Sequence, residues 1–194
     1  MSKVPHAQVV LLAAGSSKRF NGDKRKALMP SGATIWQSSL RLYSACGLSG
    51  LVVVKNNEQE YFAERLPDSF EAIECANANE GMWASRAYAI SKLTSDYAII
   101  ALADMPFIQP KTIQALLHML GTGSIIQPTF NSQAGHPKIF HRSLFSQLSG
   151  CTSSQEAKAL ISKNNDSLVN VNVDDAGILR DIDYRADIPE NFVV

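Results

Sequence analysis

The sequence has no excess of charge of either sign and no apolar run long enough to cross a bilayer. Its 18 basic side chains are balanced by 18 acidic ones, so the formal net charge is zero. Proteins that coat nucleic acid or bind anionic membranes carry a basic surface, so neither partner is predicted. The segment before the first apolar run also lacks the apolar core of a signal peptide. We therefore expect a cytoplasmic protein.

Cysteine is scarce. There are three cysteines, an odd number, and they lie far apart in sequence at Cys46, Cys75 and Cys151. The sequence contains no C-x-x-C pair. This pattern indicates neither a disulfide framework nor a zinc site. Each cysteine is expected to be a small, buried apolar residue.

Several common site motifs are absent as well. The sequence contains no G-x-x-x-x-G-K-[ST] phosphate loop, no G-x-G-x-x-G dinucleotide turn and no G-x-S-x-G nucleophile elbow. A dinucleotide oxidoreductase and a serine hydrolase are therefore not predicted. The length of 194 residues predicts one domain over residues 1–194, large enough to bury a sizeable core.

What the chain does have is an alternation of continuous apolar runs with helical stretches. Apolar runs without a polar alternation indicate strands that are buried on both faces, as in a parallel sheet covered by helices. The pattern predicts a three-layer α/β/α, Rossmann-like fold with a mostly parallel sheet. The predicted strands are at about 8–13, 51–55, 71–75, 97–103, 124–128, 168–173 and 178–182, and the helices at about 34–46, 58–65, 82–93, 110–120, 142–148 and 154–162.

The first predicted strand ends in a loop of small residues followed by cations. Ala13, Ala14, Gly15 and Ser16 let backbone N–H groups approach an anion closely. The cations that follow can neutralise a polyphosphate, and they are Lys18, Arg19, Lys24, Arg25 and Lys26. A solvated basic turn explains this segment equally well.

Carboxylates occur where two other predicted strands end. Asp104 follows an apolar strand, and Mg²⁺ is usually held by one or two carboxylates together with phosphate oxygens. In extended strand conformation Asp181 and Asp183 would point to the same face, so one of them could share a metal with Asp104. The alternatives are that Asp104 caps the next helix and that the later acids, with Asp174, Asp175 and Asp187, are surface charges.

Two further segments are candidates for ligand contact. Residues 77–85 join a strand to a helix, and Asn77, Gly81 and Ser85 lie where free helix N–H groups suit a ligand. Ordinary helix capping accounts for this segment too. Gly135-His136-Pro137 follows a polar stretch at 131–135 that is expected to be a loop, and His136 either binds a phosphate or base or fills that loop.

Taken together and in order, these segments resemble the MobA-like nucleotidyltransferase family, which includes molybdenum cofactor cytidylyltransferases and guanylyltransferases. Leu12–Phe20 is similar to the family's L-A-A-G-x-S-x-R-[MF] signature, and Lys24 or Lys26 to its phosphate-binding lysine. Leu102–Pro106, Gly135–Pro137 and Asp181–Asp183 resemble its G-D-M-P, G-H-P and D-I-D-T-P segments. The resemblance covers essentially the whole chain.

The resemblance implies transfer of a nucleoside monophosphate from a nucleoside triphosphate to a phosphate-bearing acceptor, with Mg²⁺ as cofactor. CTP is favoured because the cytidylyl members tend to have Ala-Ala-Gly, as here. Molybdopterin is an implied acceptor, and molybdoenzyme maturation factors are implied partners. The implied catalytic residues are Arg19, Lys24, Lys26 and Asp104, with Asp104 and Asp183 holding the metal. The implied nucleotide contacts are Leu12, Ala13, Ala14, Gly15, Ser16, Asn77, Gly81 and Ser85, and the acceptor contacts are Gly135, His136 and Pro137.

The sequence departs from the family pattern at three places. Ala103 stands where the family usually has glycine, and Tyr184-Arg185 replace Thr-Pro. Ser153–Lys158 stands where the family has G-D-x-G-A-R. These departures leave two alternatives: a transferase acting on a sugar phosphate or alcohol phosphate, and a nucleotide- or cofactor-binding module without catalysis.

Overall fold

An eight-stranded sheet runs through the computed structural model, which describes residues 5–15, 17, 19–20, 22–76 and 82–190. The strand order is β3-β2-β1-β4-β7-β5-β6, and β8 pairs with β5. The strands are β1 (Ala7–Leu12), β2 (Ser49–Val54), β3 (Phe70–Glu74), β4 (Tyr97–Leu102), β5 (Ile125–Phe130), β6 (Gln133–Ala134), β7 (Lys138–His141) and β8 (Leu168–Asn172).

The central strand β1 is buried on both faces, as its continuous apolar run predicts. Val9, Val10 and Leu11 have no exposed surface. β1 lies parallel to β2 and β4, β3 lies parallel to β2, and β8 parallel to β5, whereas β7 and β6 pair antiparallel. The predicted mostly parallel sheet is confirmed.

Helices cover both faces of this sheet, and each face has its own core. The helices are α1 (Ile35–Ala45), α2 (Gln59–Ala63), α3 (Met82–Ile90), α4 (Pro110–His118), α5 (Phe145–Gly150) and α6 (Ser154–Lys163). Trp36 of α1, Phe62 of α2 and Ile113 of α4 pack on one face. Ile90 of α3, Leu148 of α5 and Leu160 of α6 pack on the other. The three-layer α/β/α prediction is confirmed.

Local sequence signals explain where several helices begin and end. Thr34 caps α1, and it forms a capping box with Gln37. Pro110 occupies the first turn of α4, where its missing N–H costs nothing. Gly47 adopts a φ of 73° just after α1, a conformation that favours glycine. No helix in the described ranges is long and apolar enough to cross a membrane.

Two predictions about the second half of the chain are wrong. The stretch at 131–135, expected to be a loop throughout, is a tight turn only at Asn131 and Ser132, with φ of 48° and 64°, and Gln133–Ala134 form strand β6 paired with β5. The expected strand at 178–182 does not form, because Asp175 caps a 3-10 helix over Ala176–Leu179. Strand β7, which lies between β4 and β5, was not predicted from the sequence.

Candidate functional site

The carboxyl ends of β1 and β4 meet at one edge of the sheet and bring two predicted site segments together. Leu12 pairs with Leu102, and the N–H of Ala103 donates to the Leu12 carbonyl at 3.2 Å. The hydroxyl of Ser39 donates to the Ala103 carbonyl at 3.0 Å and so ties α1 to this edge. Asp104 therefore follows the strand directly beside the small-residue loop.

The carboxyl-terminal segment is anchored to the same edge. The N–H of Ile182 donates to the Asp104 carbonyl at 2.9 Å, and the Ile182 side chain is fully buried. This contact places Asp183 beside Asp104. The two acids were predicted to meet through a strand, but they meet through an irregular segment that follows the 3-10 helix at Ala176–Leu179.

Lys24 lies between these two carboxylates. Its Nζ donates to Asp104 Oδ2 at 2.8 Å, to the Ile182 carbonyl at 2.7 Å and to Asp183 Oδ1 at 3.2 Å. Burial alone lowers the pKa of Lys24, but hydrogen bonds and attraction from Asp104 and Asp183 outweigh burial and raise it. The ammonium group thus bridges two acids that would otherwise repel each other.

Arg19 reaches the same cluster from the solvent side. Its Nη1 lies 2.7 Å from Asp183 Oδ2, while the side chain remains 64% exposed. A hydrogen bond with Tyr184 and the charge of Asp183 raise the pKa of Arg19. An exposed guanidinium held at one end by a carboxylate is free to bind an incoming polyphosphate.

Asp181 and Asp187 lie next to Asp183, and they differ in their electrostatic environment and in their hydrogen bonds. Burial and the charges of Asp183 and Asp104 raise the pKa of Asp181. Asp187 Oδ2 accepts the N–H groups of Asp183 and Tyr184 at 2.8 and 2.7 Å, which holds the Asp183 backbone in place. Asp187 was expected to be only a surface charge, and no sequence signal indicated this contact.

Arg25 is a buried member of the basic run whose contacts the sequence did not indicate. It is 5% exposed, and its Nη1 donates to the Ala13 carbonyl at 2.7 Å. Glu58 accepts hydrogen bonds from both terminal nitrogens of the guanidinium, Nη1 and Nη2, at 2.6 Å. Asp23 accepts from Nη2 at 2.7 Å. Arg25 therefore fixes the small-residue loop to the segment after β2.

Lys26 does not join the cluster. Its Nζ lies 4.5 Å from the centroid of the Tyr61 ring and 3.9 Å from Asp23 Oδ2. Of the two lysines predicted as the phosphate ligand, Lys24 contacts the carboxylates and Lys26 lies on an aromatic ring.

The carboxylate pair fits a divalent cation. Asp104 Oδ1 is buried and has no hydrogen-bond partner among the described residues. A buried, unpaired carboxylate oxygen is unfavourable unless a cation or donor binds it. No group of three or more His, Cys, Asp or Glu side chains suited to a metal occurs in the described ranges. A cation here would need oxygens from a ligand or water, as Mg²⁺ commonly does.

The predicted acceptor contacts lie at the start of β7. A Cβ on Gly135 would overlap the Ile178 carbonyl oxygen, so only glycine fits there. The N–H of His136 donates to that carbonyl at 2.9 Å. Burial and the charge of Lys138 lower the pKa of His136 to about 4, so the imidazole is neutral at pH 7. His136 lines a cavity of about 220 Å³, whereas Pro137 is buried.

The remaining predicted nucleotide contacts fall into three groups. Leu12 is half-buried and lines the same cavity, Ala13 and Ala14 are buried, and Gly15 is exposed. Ser85 is buried on α3. Ser16, Asn77 and Gly81 lie outside the described residues.

Comparison with known proteins identifies a family. The model of the MobA-like NTP transferase domain matches residues 9–168. A curated relative, the bifunctional protein GlmU of Cereibacter sphaeroides, is 28% identical over 123 residues, which cover 61% of this chain and 27% of GlmU. The chain thus matches about a quarter of the length of that relative.

Solved structures show the same fold at low sequence identity. Rv0371c of Mycobacterium tuberculosis H37Rv is 19% identical, with a TM-score of 0.79 over 95% of this chain and 96% of that one. The same protein in complex with manganese is 17% identical, with a TM-score of 0.71 over 88% and 89%. A CMP:2-keto-3-deoxy-manno-octonic acid synthetase complexed with CTP is 16% identical, with a TM-score of 0.70 over 93% and 94%.

Proposed function

The chain belongs to the MobA-like NTP transferase family, and we propose that it transfers a nucleoside monophosphate, with CMP favoured, from a nucleoside triphosphate to a phosphate-bearing acceptor. In this reaction an oxygen of the acceptor phosphate bonds to the α-phosphorus. The bond from the α-phosphorus to the bridging oxygen breaks, and pyrophosphate leaves with the electron pair. Such transfers depend on positioning and charge stabilisation more than on covalent chemistry.

The single observation that carries the proposal is the convergence of Arg19, Lys24, Asp104 and Asp183. These residues are up to 164 positions apart, from Arg19 to Asp183, yet Lys24 contacts both acids and Arg19 contacts one of them. Cations next to paired carboxylates suit a triphosphate that arrives together with a divalent cation.

Asp104 and Asp183 are the residues that would hold Mg²⁺. When bound there, the ion would supply positive charge to the phosphate oxygens of the donor. The unpaired Asp104 Oδ1 supports this assignment. The manganese complex of Rv0371c is consistent with a divalent cation in this fold, but it concerns that protein.

Lys24 and Arg19 are the residues that would bind the triphosphate. Lys24 would turn from the carboxylates to the β- and γ-phosphates, and Arg19 would bind the same groups from the solvent side. Both cations would then stabilise the negative charge that builds up on the leaving pyrophosphate. Lys26 stays a candidate for a phosphate contact through movement of its exposed side chain.

The preference for CTP and the identity of the acceptor are also part of the proposal. The CTP preference rests on Ala13-Ala14-Gly15, and the CTP complex of the synthetase named above is consistent with it. Buried Arg25 supports a base-reading role for this loop, because it fixes the Ala13 carbonyl. Molybdopterin is one candidate acceptor, with sugar phosphates and alcohol phosphates as rivals.

The test is pyrophosphate release from each of the four nucleoside triphosphates with Mg²⁺ and a panel of phosphate-bearing acceptors. We expect release with CTP above the other three, and loss of release in Asp104→Asn with the fold retained. If CTP binds but no acceptor supports release, a binding module replaces the enzyme proposal. Release that persists in Asp104→Asn would contradict the metal assignment.

A further inference from the structure

A cavity of about 220 Å³ lies beside the candidate site, on the face of the sheet that α3, α5 and α6 cover. Leu12, at the end of β1, and Leu102, at the end of β4, form part of its wall. These residues directly precede Ala13 and Ala103-Asp104. The cavity therefore borders the site, although neither Asp104 nor Lys24 lines it.

The walls of this cavity are mostly apolar. They include side chains from the sheet and from all three helices of that face: Leu12, Trp83, Leu102, Phe140, Leu148 and Ile161. An engineered apolar cavity of about 150 Å³ takes up benzene, so this one has room for a ring with a substituent. A ligand with many donors and acceptors would leave them unpaired against such walls, which weakens binding. The walls thus favour an apolar ligand body.

Three cationic side chains line the cavity: Arg86 of α3, whose Nη2 donates to the Leu148 and Cys151 carbonyls at 2.6 and 3.0 Å, and two lysines. Lys138 of β7 and Lys158 of α6 both line it. Lys138 donates to Gln127 Oε1 at 2.7 Å, and neither lysine forms an ion pair with a carboxylate within the described part of the chain. Burial and the charge of Lys158 lower the pKa of Lys138 to about 8. A bound anion would relieve this repulsion.

His136 and Ser154 also line the cavity. His136 Nδ1 is buried without a hydrogen-bond partner among the described residues, so the lining residues include a polar group that the fold leaves unsatisfied. Ser154 begins the ten-residue helix α6, whose amino-terminal dipole adds positive potential. Lys158 stands in the segment where this chain departs from the family's G-D-x-G-A-R.

We infer that this cavity binds the acceptor, and that the acceptor is an organic phosphate with an apolar, ring-sized body whose phosphate is bound by Lys138 and Lys158. The inference rests on the proposed function, since it names the substrate class of the same site. It also makes a pterin a poor occupant, because a pterin ring presents several hydrogen-bonding groups to apolar walls.

The test is calorimetric binding of four defined probes: phenyl phosphate, benzoate, inorganic phosphate and pterin-6-carboxylate. Phenyl phosphate should bind at least about tenfold more tightly than inorganic phosphate and pterin-6-carboxylate, and more tightly than benzoate, whose ring carries a carboxylate in place of the phosphate. Trp83 lines the cavity and the other tryptophan, Trp36, is fully buried in the opposite core, so bound probe should change Trp83 fluorescence.

Variants decide whether the lysines bind the anion. Lys138→Met and Lys158→Met should each weaken the binding of phenyl phosphate by about ten- to a hundredfold, the range of a hydrogen bond to a charged group. Lys163→Met is the matched control, since Lys163 is on the same helix but does not line this cavity. Equal binding by all variants, or tightest binding by pterin-6-carboxylate, overturns the inference.

A separate measurement distinguishes failure of this inference from failure of the proposed function. Binding of CTP with Mg²⁺ by the unmodified protein tests the nucleotide site alone. If CTP binds and pyrophosphate is released but the lysine variants bind the probes unchanged, only the cavity assignment fails. If the probes behave as expected but no nucleoside triphosphate binds, the cavity is an anion site and the transferase proposal fails.

Discussion

Replacing Lys24 with methionine should raise the affinity for a divalent cation while it lowers turnover. In the structure the Lys24 ammonium occupies the space between Asp104 and Asp183, at 2.8 and 3.2 Å from their oxygens. A cation can bind both carboxylates only after Lys24 leaves them. Methionine has a similar length but no charge, so it removes this competition.

The size of the effect follows from the contacts that must break. A hydrogen bond to a charged group contributes about 1.5–3 kcal/mol. The carboxylates are about a quarter exposed, at 26% and 23%, and Lys24 donates to both, so solvent screening favours the low end. About 1.5 kcal/mol corresponds to roughly tenfold in affinity. We therefore expect Lys24→Met to bind Mn²⁺ about tenfold more tightly in the absence of nucleotide.

Turnover should change in the opposite direction. Loss of a cation that stabilises the transition state costs on the order of 10²–10³ in rate. Mn²⁺ binding is measured by electron paramagnetic resonance of the free ion, and turnover by pyrophosphate release. Lys26→Met is the control for Mn²⁺ binding, because Lys26 lies against Tyr61 and near Asp23, away from the two carboxylates. Unchanged or weaker Mn²⁺ binding in Lys24→Met, or the same gain in Lys26→Met, would refute the reasoning.

Three further predictions concern other residues of the site. Asp104→Asn should lower pyrophosphate release by about 10²–10³ with an unchanged circular dichroism spectrum; a smaller loss than tenfold would argue against its role. Arg25→Met should lower the free energy of unfolding in urea by about 3 kcal/mol, because Glu58 and Asp23 lose their buried partner; a loss under about 1 kcal/mol would count against the loop anchor. The pKa of His136 is about 4 in the folded protein and 6.5 ordinarily, so the unfolded chain binds the proton first and acid weakens the fold. The wild type should therefore lose stability relative to His136→Phe between pH 6.5 and 4, by up to about 3 kcal/mol; parallel curves would contradict this pKa.

Much of the fold could be predicted because the strands that form its centre are buried on both sides. Val9–Leu11 and Ile99–Ala101 are continuous apolar runs, and such runs indicate a parallel sheet under helices. β7 was missed because Lys138-Ile139-Phe140-His141 is only four residues long and is flanked by polar ends. Its antiparallel place between β4 and β5 comes from tertiary pairing that a local pattern does not show.

The burial and contacts of the acids near the carboxyl terminus could not be predicted from the sequence. Asp175 was expected on the surface, but it is 1% exposed and accepts from Gln109 N, Thr112 Oγ1 and Gly177 N. A Cβ on Gly177 would overlap the Phe107 carbonyl oxygen. This close approach and the Asp175 cap turn the apolar Ile178-Leu179 into a 3-10 helix instead of a strand.

The candidate site was predicted as a set of segments, and its internal contacts were not. The convergence of the loop after β1 with Asp104 follows from the parallel topology, in which strand ends share one edge. Which cations of the basic run turn inward depends on distant acids: Lys24 contacts Asp104 and Asp183, and Arg25 contacts Glu58, 33 residues further along the chain. The roles of the individual site residues, and one domain over residues 1–194, stay predictions.

The assignment of the metal to Asp104 and Asp183 can be measured through the magnetic coupling between bound Mn²⁺ and the phosphorus nuclei of a non-hydrolysable CTP analogue. With the unmodified protein, we expect a ³¹P hyperfine coupling that disappears in Asp104→Asn and in Asp183→Asn. A coupling of equal size in both variants would place the metal–nucleotide complex elsewhere and contradict this assignment.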